Sequence, residues 1–157
     1  MITQKERRYP DPAIDAESRP FWDAAAQGKM LLGHCQACGA AHYYPRSICP
    51  HCFGTDTEWT PMSGRGTIYS YSITRRVDVP YVIAYVTLPE GVTVMSNIVE
   101  CDVDTLHVGQ QVELSFRTTE GGQALPVFRP SARPTCDGEA ACAGRSPEFA
   151  WLNCRPC

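Results

Sequence analysis

Long hydrophobic runs, a surplus of positive charge and any recognisable catalytic motif are missing from this sequence. The longest unbroken apolar run covers residues 81–86, far short of the ~20 residues that a membrane helix needs. Residues 4–8 (Gln4-Lys5-Glu6-Arg7-Arg8) lack the apolar stretch of an export signal. A cytoplasmic protein without membrane contact is expected. Lys and Arg total 14 against 17 for Asp and Glu, a net charge of -3, so no global field draws the chain to phosphate backbones. Nucleophile elbow, P-loop and dinucleotide fingerprint are all absent, and Gly64-Arg65-Gly66 reads as a flexible junction before a strand. Glu100, Asp102 and Asp104 fall where carboxylates cap and solvate a turn, and Cys101 reads as a small packing residue. No catalytic residue is assigned.

What remains is the composition of an ordinary globular chain: 157 residues, 43% hydrophobic and 20% charged, enough for one domain or two small ones. Cysteine is the exception, with nine residues. An odd count without an export signal points to metal ligation or free thiols rather than to a disulfide framework. Cys35-Gln36-Ala37-Cys38 and Cys49-Pro50-His51-Cys52 form two knuckles separated by ten residues. Two residues between thiolates let a tight turn aim both sulfurs at one ion, and two such turns face to face complete a closed tetrahedral site. Cys35, Cys38, Cys49 and Cys52 are therefore expected to hold a structural metal: zinc by default, with iron the competitor at this geometry. His34 and His51 read as neighbours of the site, not ligands.

Around the knuckles the chain divides into four parts. Residues 1–28 are a polar arm, expected to be partly mobile, and a short helix with Ser18 as cap, Pro20 in its first turn and Gly28 as a left-handed stop. Phe21, Ala24 and Ala25 share one helix face and Trp22 falls on a neighbouring one, which leaves one aromatic for another surface. Residues 29–59 form the metal ribbon. Residues 60–130 carry β-patterning: Tyr69, Tyr71 and Ile73 alternate with polar residues, 81–88 reads as a central strand, 92–99 as a third, 112–116 as a fourth and 125–128 as a fifth. A short helical turn is expected over 102–107. Five strands in this space fit a Greek-key barrel of the OB type, with an SH3-like barrel as the alternative. Residues 131–157 form an irregular tail; its Cys136, Cys142, Cys154 and Cys157 lack the spacing of a second site.

The order of features resembles a known family. Pro20-Phe21-Trp22, Gly28-Lys29-Met30-Leu31-Leu32 before the first knuckle, Tyr44-Pro45-Arg46 before the second, Trp59 ahead of Ser63-Gly64-Arg65-Gly66-Thr67-Ile68-Tyr69-Ser70-Tyr71, and closing Leu125-Pro126-Val127-Phe128-Arg129-Pro130 together resemble the acyl-CoA-associated zinc-ribbon/OB-fold proteins. That resemblance implies a mainly β fold with a rubredoxin-like zinc ribbon and an OB barrel. It also implies a non-catalytic accessory subunit that docks on a thiolase-like enzyme: a thiolase, a sterol-carrier-type thiolase or aldolase, or an acyltransferase. Coenzyme A would be shared with that partner. The family supplies no catalytic residue, and the chain departs from its pattern after Pro130. Trp22, Tyr43 and Tyr44 are the expected partner anchors, with one barrel face walling the acyl-CoA channel. Two other readings stay open. One is a single-stranded nucleic-acid module using Tyr69, Tyr71, Arg65, Arg75 and Arg76; the other is an iron-containing electron carrier.

Overall fold

The computed structural model describes residues 7–44 and 46–131; the tail beyond Ser131 lies outside these residues. Helix α1 spans Arg19–Ala26. Its end is set by Gly28 at φ 76, where the Lys29 N–H returns to the Ala24 carbonyl and the Gly28 N–H to that of Ala25, both at 2.9 Å. This double closure satisfies carbonyls that the last turn would otherwise orphan. The start differs from expectation. Ser18 occupies the cap position without a side-chain hydrogen bond to the helix; its hydroxyl instead donates to the Asp15 carboxylate at 2.6 Å. Asp15 draws the Ser18 N–H to the same oxygen, at 2.7 Å, so the serine closes the preceding turn.

The ribbon consists of β1 (Leu31–Cys35), β2 (Ala41–His42) and β3 (Thr57–Pro61), in the order β2-β1-β3 and antiparallel throughout. β1 must tolerate His42 directly opposite Gly33. The imidazole lies so close over the glycine that a Cβ there would sit 2.3 Å from His42 Cε1.

A closed barrel follows, built from β4 (Arg65–Thr74), β5 (Tyr81–Thr87), β6 (Thr93–Ile98), β7 (Gln111–Thr118) and β8 (Ala124–Pro130) in the order β4-β5-β6-β8-β7. The parallel bridge Ile98↔Phe128 brings β8 back between β6 and β7, a Greek-key return that decides for the OB type. Ile68, Val82, Val86, Val94, Ile98, Val112 and Phe128 fill the interior and are essentially inaccessible to solvent. Phe21, Trp22 and Leu32 belong to the same buried cluster, so helix, ribbon and barrel share one core.

Three local expectations are corrected. Tyr69 does not share a face with Tyr71 and Ile73: the register shifts between Ile68 and Ser70, and this bulge resets the alternation. Ile68 is 1% exposed and Tyr69 68%, while the Tyr71 hydroxyl donates to the Leu106 carbonyl at 2.7 Å. Residues 102–107 form turns and no helix, because the Asp102 carboxylate takes the Asp104 N–H and holds the backbone in a local turn. The described part of the arm is tied down: Tyr9 is buried, its carbonyl accepts the Glu120 N–H at 3.0 Å, and Asp11 accepts the Gly121 N–H at 2.8 Å. Among the described residues no helix is long and apolar enough to cross a membrane.

Glu100 has φ 53, an unfavoured conformation for a residue with a side chain. Its carboxylate accepts from Arg117 at 2.7 Å and Arg129 at 3.4 Å, and Arg129 also reaches Glu113 at 2.8 Å. The hydrogen bond from Arg117 is the main reason the Glu100 carboxyl titrates below its ordinary range. Stability from a depressed carboxyl is present above the unfolded pKa and is lost as pH falls through the folded one. Thermal melts of Glu100→Gln should therefore show a lower Tm than the parent at neutral pH, with the gap closing once the pH drops below the carboxylate range. Gly33→Ala should cost about 1–3 kcal/mol by overpacking against His42, read as a lower denaturation midpoint.

Candidate metal centre and its aromatic surround

Both knuckles are the same turn built twice. In the first, the Gly39 N–H donates to the Cys35 carbonyl at 2.8 Å; in the second, the Phe53 N–H donates to that of Cys49 at 3.0 Å. Each turn ends in the left-handed region, Gly39 at φ 71 and Phe53 at φ 61. β1 delivers Cys35, whose N–H closes the first loop on the Ala40 carbonyl, and the hydrogen bond from the Gln36 N–H to the Asp56 carbonyl brings the second loop against the first. The four sulfurs lie within 4.8 Å of one another. Cys35 and Cys52 are separated by 3.5 Å and Cys38 and Cys49 by 3.7 Å. A tetrahedron of zinc–thiolate bonds has edges of about 3.8 Å, so the donor set fits that ion. Gly54 leaves the necessary room: a Cβ there would meet the Cys52 sulfur at 3.3 Å.

Electrostatics argue for a cation in the same place. Cys49 is buried, which works against its ionisation, yet the N–H groups of Cys52 and His51 and the neighbouring thiols hold it down to about 6. At Cys52 the Gly54 N–H favours the thiolate, but Cys35 and Cys38 outweigh it and push the thiol up to about 12. Four thiols this close cannot all ionise without a positive charge among them. His34 lies 3.9 Å from the Glu58 carboxylate, outside the sulfur cluster, and His51 is exposed.

Beside the ribbon stands an aromatic cluster. Phe21 meets Trp22 edge-on at 5.1 Å, Tyr43 meets Tyr44 edge-on at 5.3 Å, and Phe21 lies 5.6 Å from Tyr44. The Trp22 indole N–H donates to the Tyr44 hydroxyl at 3.0 Å. Trp22 is 5% exposed, which corrects the expectation that it projects as an anchor. Its ring is enclosed because helix, ribbon and barrel converge on the same side of α1. Tyr43 is largely buried, and burial raises its pKa; Tyr44 retains 38% exposure.

Sequence reasoning passed over Ile48 and Phe53, which flank the second knuckle and are 51% and 79% exposed. Their signal was present: large apolar residues at turn positions have no strand period to carry them into a core. His42 was also missed. It is 3% exposed, and its ring nitrogens have no hydrogen-bond partner among the described residues. Burial lowers its pKa, which favours the neutral imidazole. Several of the residues considered for other chemistry are engaged locally or separated in space. Arg75 lies 3.5 Å from Asp104, Glu100 sits in the arginine network, and Tyr69 and Tyr71 occupy opposite faces.

Residues 22–58 match the model described as the ChsH2 rubredoxin-like zinc ribbon domain, and residues 59–117 that of the ChsH2 C-terminal OB-fold domain. A DUF35 domain-containing scaffold protein of Methanothermobacter thermautotrophicus is 40% identical over 61% of this chain and 78% of its own length. The benzoylsuccinyl-CoA thiolase subunit BbsA of Geobacter metallireducens is 30% identical over 73% of this chain and 82% of its length. The chain belongs to the ChsH2/DUF35 family. In its fold the chain also resembles the solved Ltp2-ChsH2(DUF35) aldolase, with a TM-score of 0.68 and 32% identity, covering 76% of this chain and 98% of that one. A further relative, the probable enoyl-CoA hydratase alpha subunit of Thermomonospora curvata, is 32% identical over 78% of this chain, which spans only 40% of the relative's length. Zinc ribbon and OB barrel are thus family features, and the family includes scaffold proteins and thiolase subunits.

Cys38→Ser should lose the bound metal, measured by elemental analysis of the purified chain. Chelation of the parent should unfold the ribbon while leaving much of the barrel signal in circular dichroism, and metal occupancy should fall on acidification as the thiolates protonate.

Proposed function

We propose that this chain is a non-catalytic accessory subunit that docks on a thiolase-like enzyme and supports its acyl-CoA chemistry, with Cys35, Cys38, Cys49 and Cys52 holding a structural zinc. The closed four-sulfur cluster carries this reading: four thiolates fill a tetrahedral ion, which leaves no position for substrate or water. Bound zinc supplies cross-linking between the two loops, not catalysis. The ribbon then serves as a platform. Names among the relatives, a thiolase subunit and an aldolase complex, support the identity of the partner. Coenzyme A is held at the partner's site, with this chain at its rim.

Phe53 supports the platform role in its own right. It occupies the left-handed position that Gly39 fills in the other knuckle, at a conformational cost of about 1 kcal/mol, and still exposes a full aromatic ring. Strain kept at an exposed aromatic marks a binding anchor. Ile48, exposed on the other flank of the same knuckle, and the half-exposed Tyr44, braced by Phe21, Trp22 and Tyr43, add apolar surface.

Affinity capture of the tagged chain from its host's lysate, followed by mass spectrometry, should recover a thiolase-like enzyme in near-stoichiometric yield. Nucleic acid recovered in its place would overturn the reading, and coloured ferric thiolate in the purified chain would replace zinc with iron. Phe53→Gly should raise stability by about 0.5–1 kcal/mol by relieving the left-handed strain, yet weaken partner capture about tenfold.

A further inference from the structure

Although β5 is central in the barrel order, only one of its faces is covered. Val82, Ala84 and Val86 point into the core, whereas Tyr85 on the outer face is 49% exposed. Across the ladder Tyr85 pairs with Met95, which is 59% exposed, and on the other side with Ser70, next to the bulged-out Tyr69 at 68%. The result is a continuous apolar stripe over three strands. It leads, past Ile83 and Met95, into a cleft of about 240 Å³ whose wall includes Trp22, Tyr43, Leu125 and Arg7. The Arg7 guanidinium stacks 3.5 Å over the Tyr81 ring, and its Nη1 is buried without a hydrogen-bond partner among the described residues.

A buried, unpaired guanidinium nitrogen is costly unless an acceptor completes it. The acceptor fits best when it arrives with apolar surface, because the cleft is otherwise mainly aromatic and aliphatic, and its polar members Ser96 and Asn97 already donate to the Pro126 and Val82 carbonyls. It cannot arrive as an added strand: β5 is hydrogen-bonded on both sides, to β4 and β6, and the barrel is closed. Recognition must therefore run through side chains. Resting on the accessory-subunit reading, we propose that the outer face of β5 and β6 is a second docking surface. It receives a segment of the partner enzyme in which an aspartate or glutamate neighbours a large apolar side chain. The carboxylate pairs with Arg7, the apolar side chain enters the cleft over Tyr43 and Trp22, and the segment continues across Met95 and Tyr85. The expected anchors Trp22 and Tyr43 thereby act as cleft wall.

The test uses the full-length chain and the thiolase-like enzyme recovered with it. A benzoylphenylalanine placed at Tyr85 should photo-crosslink to that enzyme, at a peptide with an acidic residue beside an aromatic or aliphatic one. Arg7→Glu and Met95→Asp should each weaken the complex about tenfold or more. Arg7→Ala should flatten its salt dependence. Val108→Asp, at an exposed apolar residue elsewhere, should leave affinity unchanged, and parental zinc content and circular dichroism verify that each variant is folded. Unchanged affinity for both variants without a crosslink overturns this surface and leaves the accessory-subunit reading standing; failure of the parent chain to hold any thiolase-like enzyme overturns both. Saturable binding of dodecanoate in the cleft, abolished by Arg7→Glu, assigns the site to a small amphiphile and overturns the docking proposal.

Discussion

Four sulfurs converge on one point, and the rest of the ribbon depends on what that convergence demands. The three ribbon strands are short, and β2 has two residues; such a sheet cannot bury enough apolar surface to stand alone. The thiols cannot ionise together without a cation, and a cation at their centre ties the first loop to the second. Gly54 beside Cys52 is a consequence of that packing, whereas Gly39 after Cys38 answers the left-handed backbone of the turn.

The second weld is aromatic. Phe21 on α1 touches Trp22, Tyr43 and Tyr44, and the Trp22 carbonyl accepts from Gln123 at 3.1 Å, at the tip of the β7–β8 hairpin. A two-turn helix is marginal by itself. Here it is held by burial on the ribbon and the barrel together, and in return it fixes their relative placement. The arm continues the same brace through Tyr9 and Asp11.

These two constraints shape how the chain contributes to function. Among the described residues the one cluster that could hold a metal is closed, the Asp102 carboxylate is engaged in a turn and Glu100 in an ion pair. The chain also presents surface: a strained Phe53 at the tip of a knuckle, and an uncovered sheet face ending in an arginine over a tyrosine. Both belong to a body whose helix, ribbon and barrel share one core, so the contacts they can make are pre-formed.

Much of this was legible because the signals are local. Knuckle spacing is a property of a few consecutive residues, and the ten residues between the pairs are too few to carry them far apart. The strands were legible from alternation, and the end of α1 from Gly28, which takes a backbone conformation that other residues pay to adopt. Where a long-range partner decided the outcome, the reading failed. Tyr69 turned outward because pairing with β5 required an extra residue in β4; Trp22 was enclosed because three elements meet above it. Ser18 failed for a local reason: its hydroxyl donates to the Asp15 carboxylate three residues back and does not accept a helix N–H. The sequence by itself determined which four sulfurs converge, the helix stop and the class of barrel, since these follow from spacing, backbone conformation and period. Only the tertiary structure decided which aromatics are buried and which face the solvent, since exposure depends on what the remainder of the chain brings into contact.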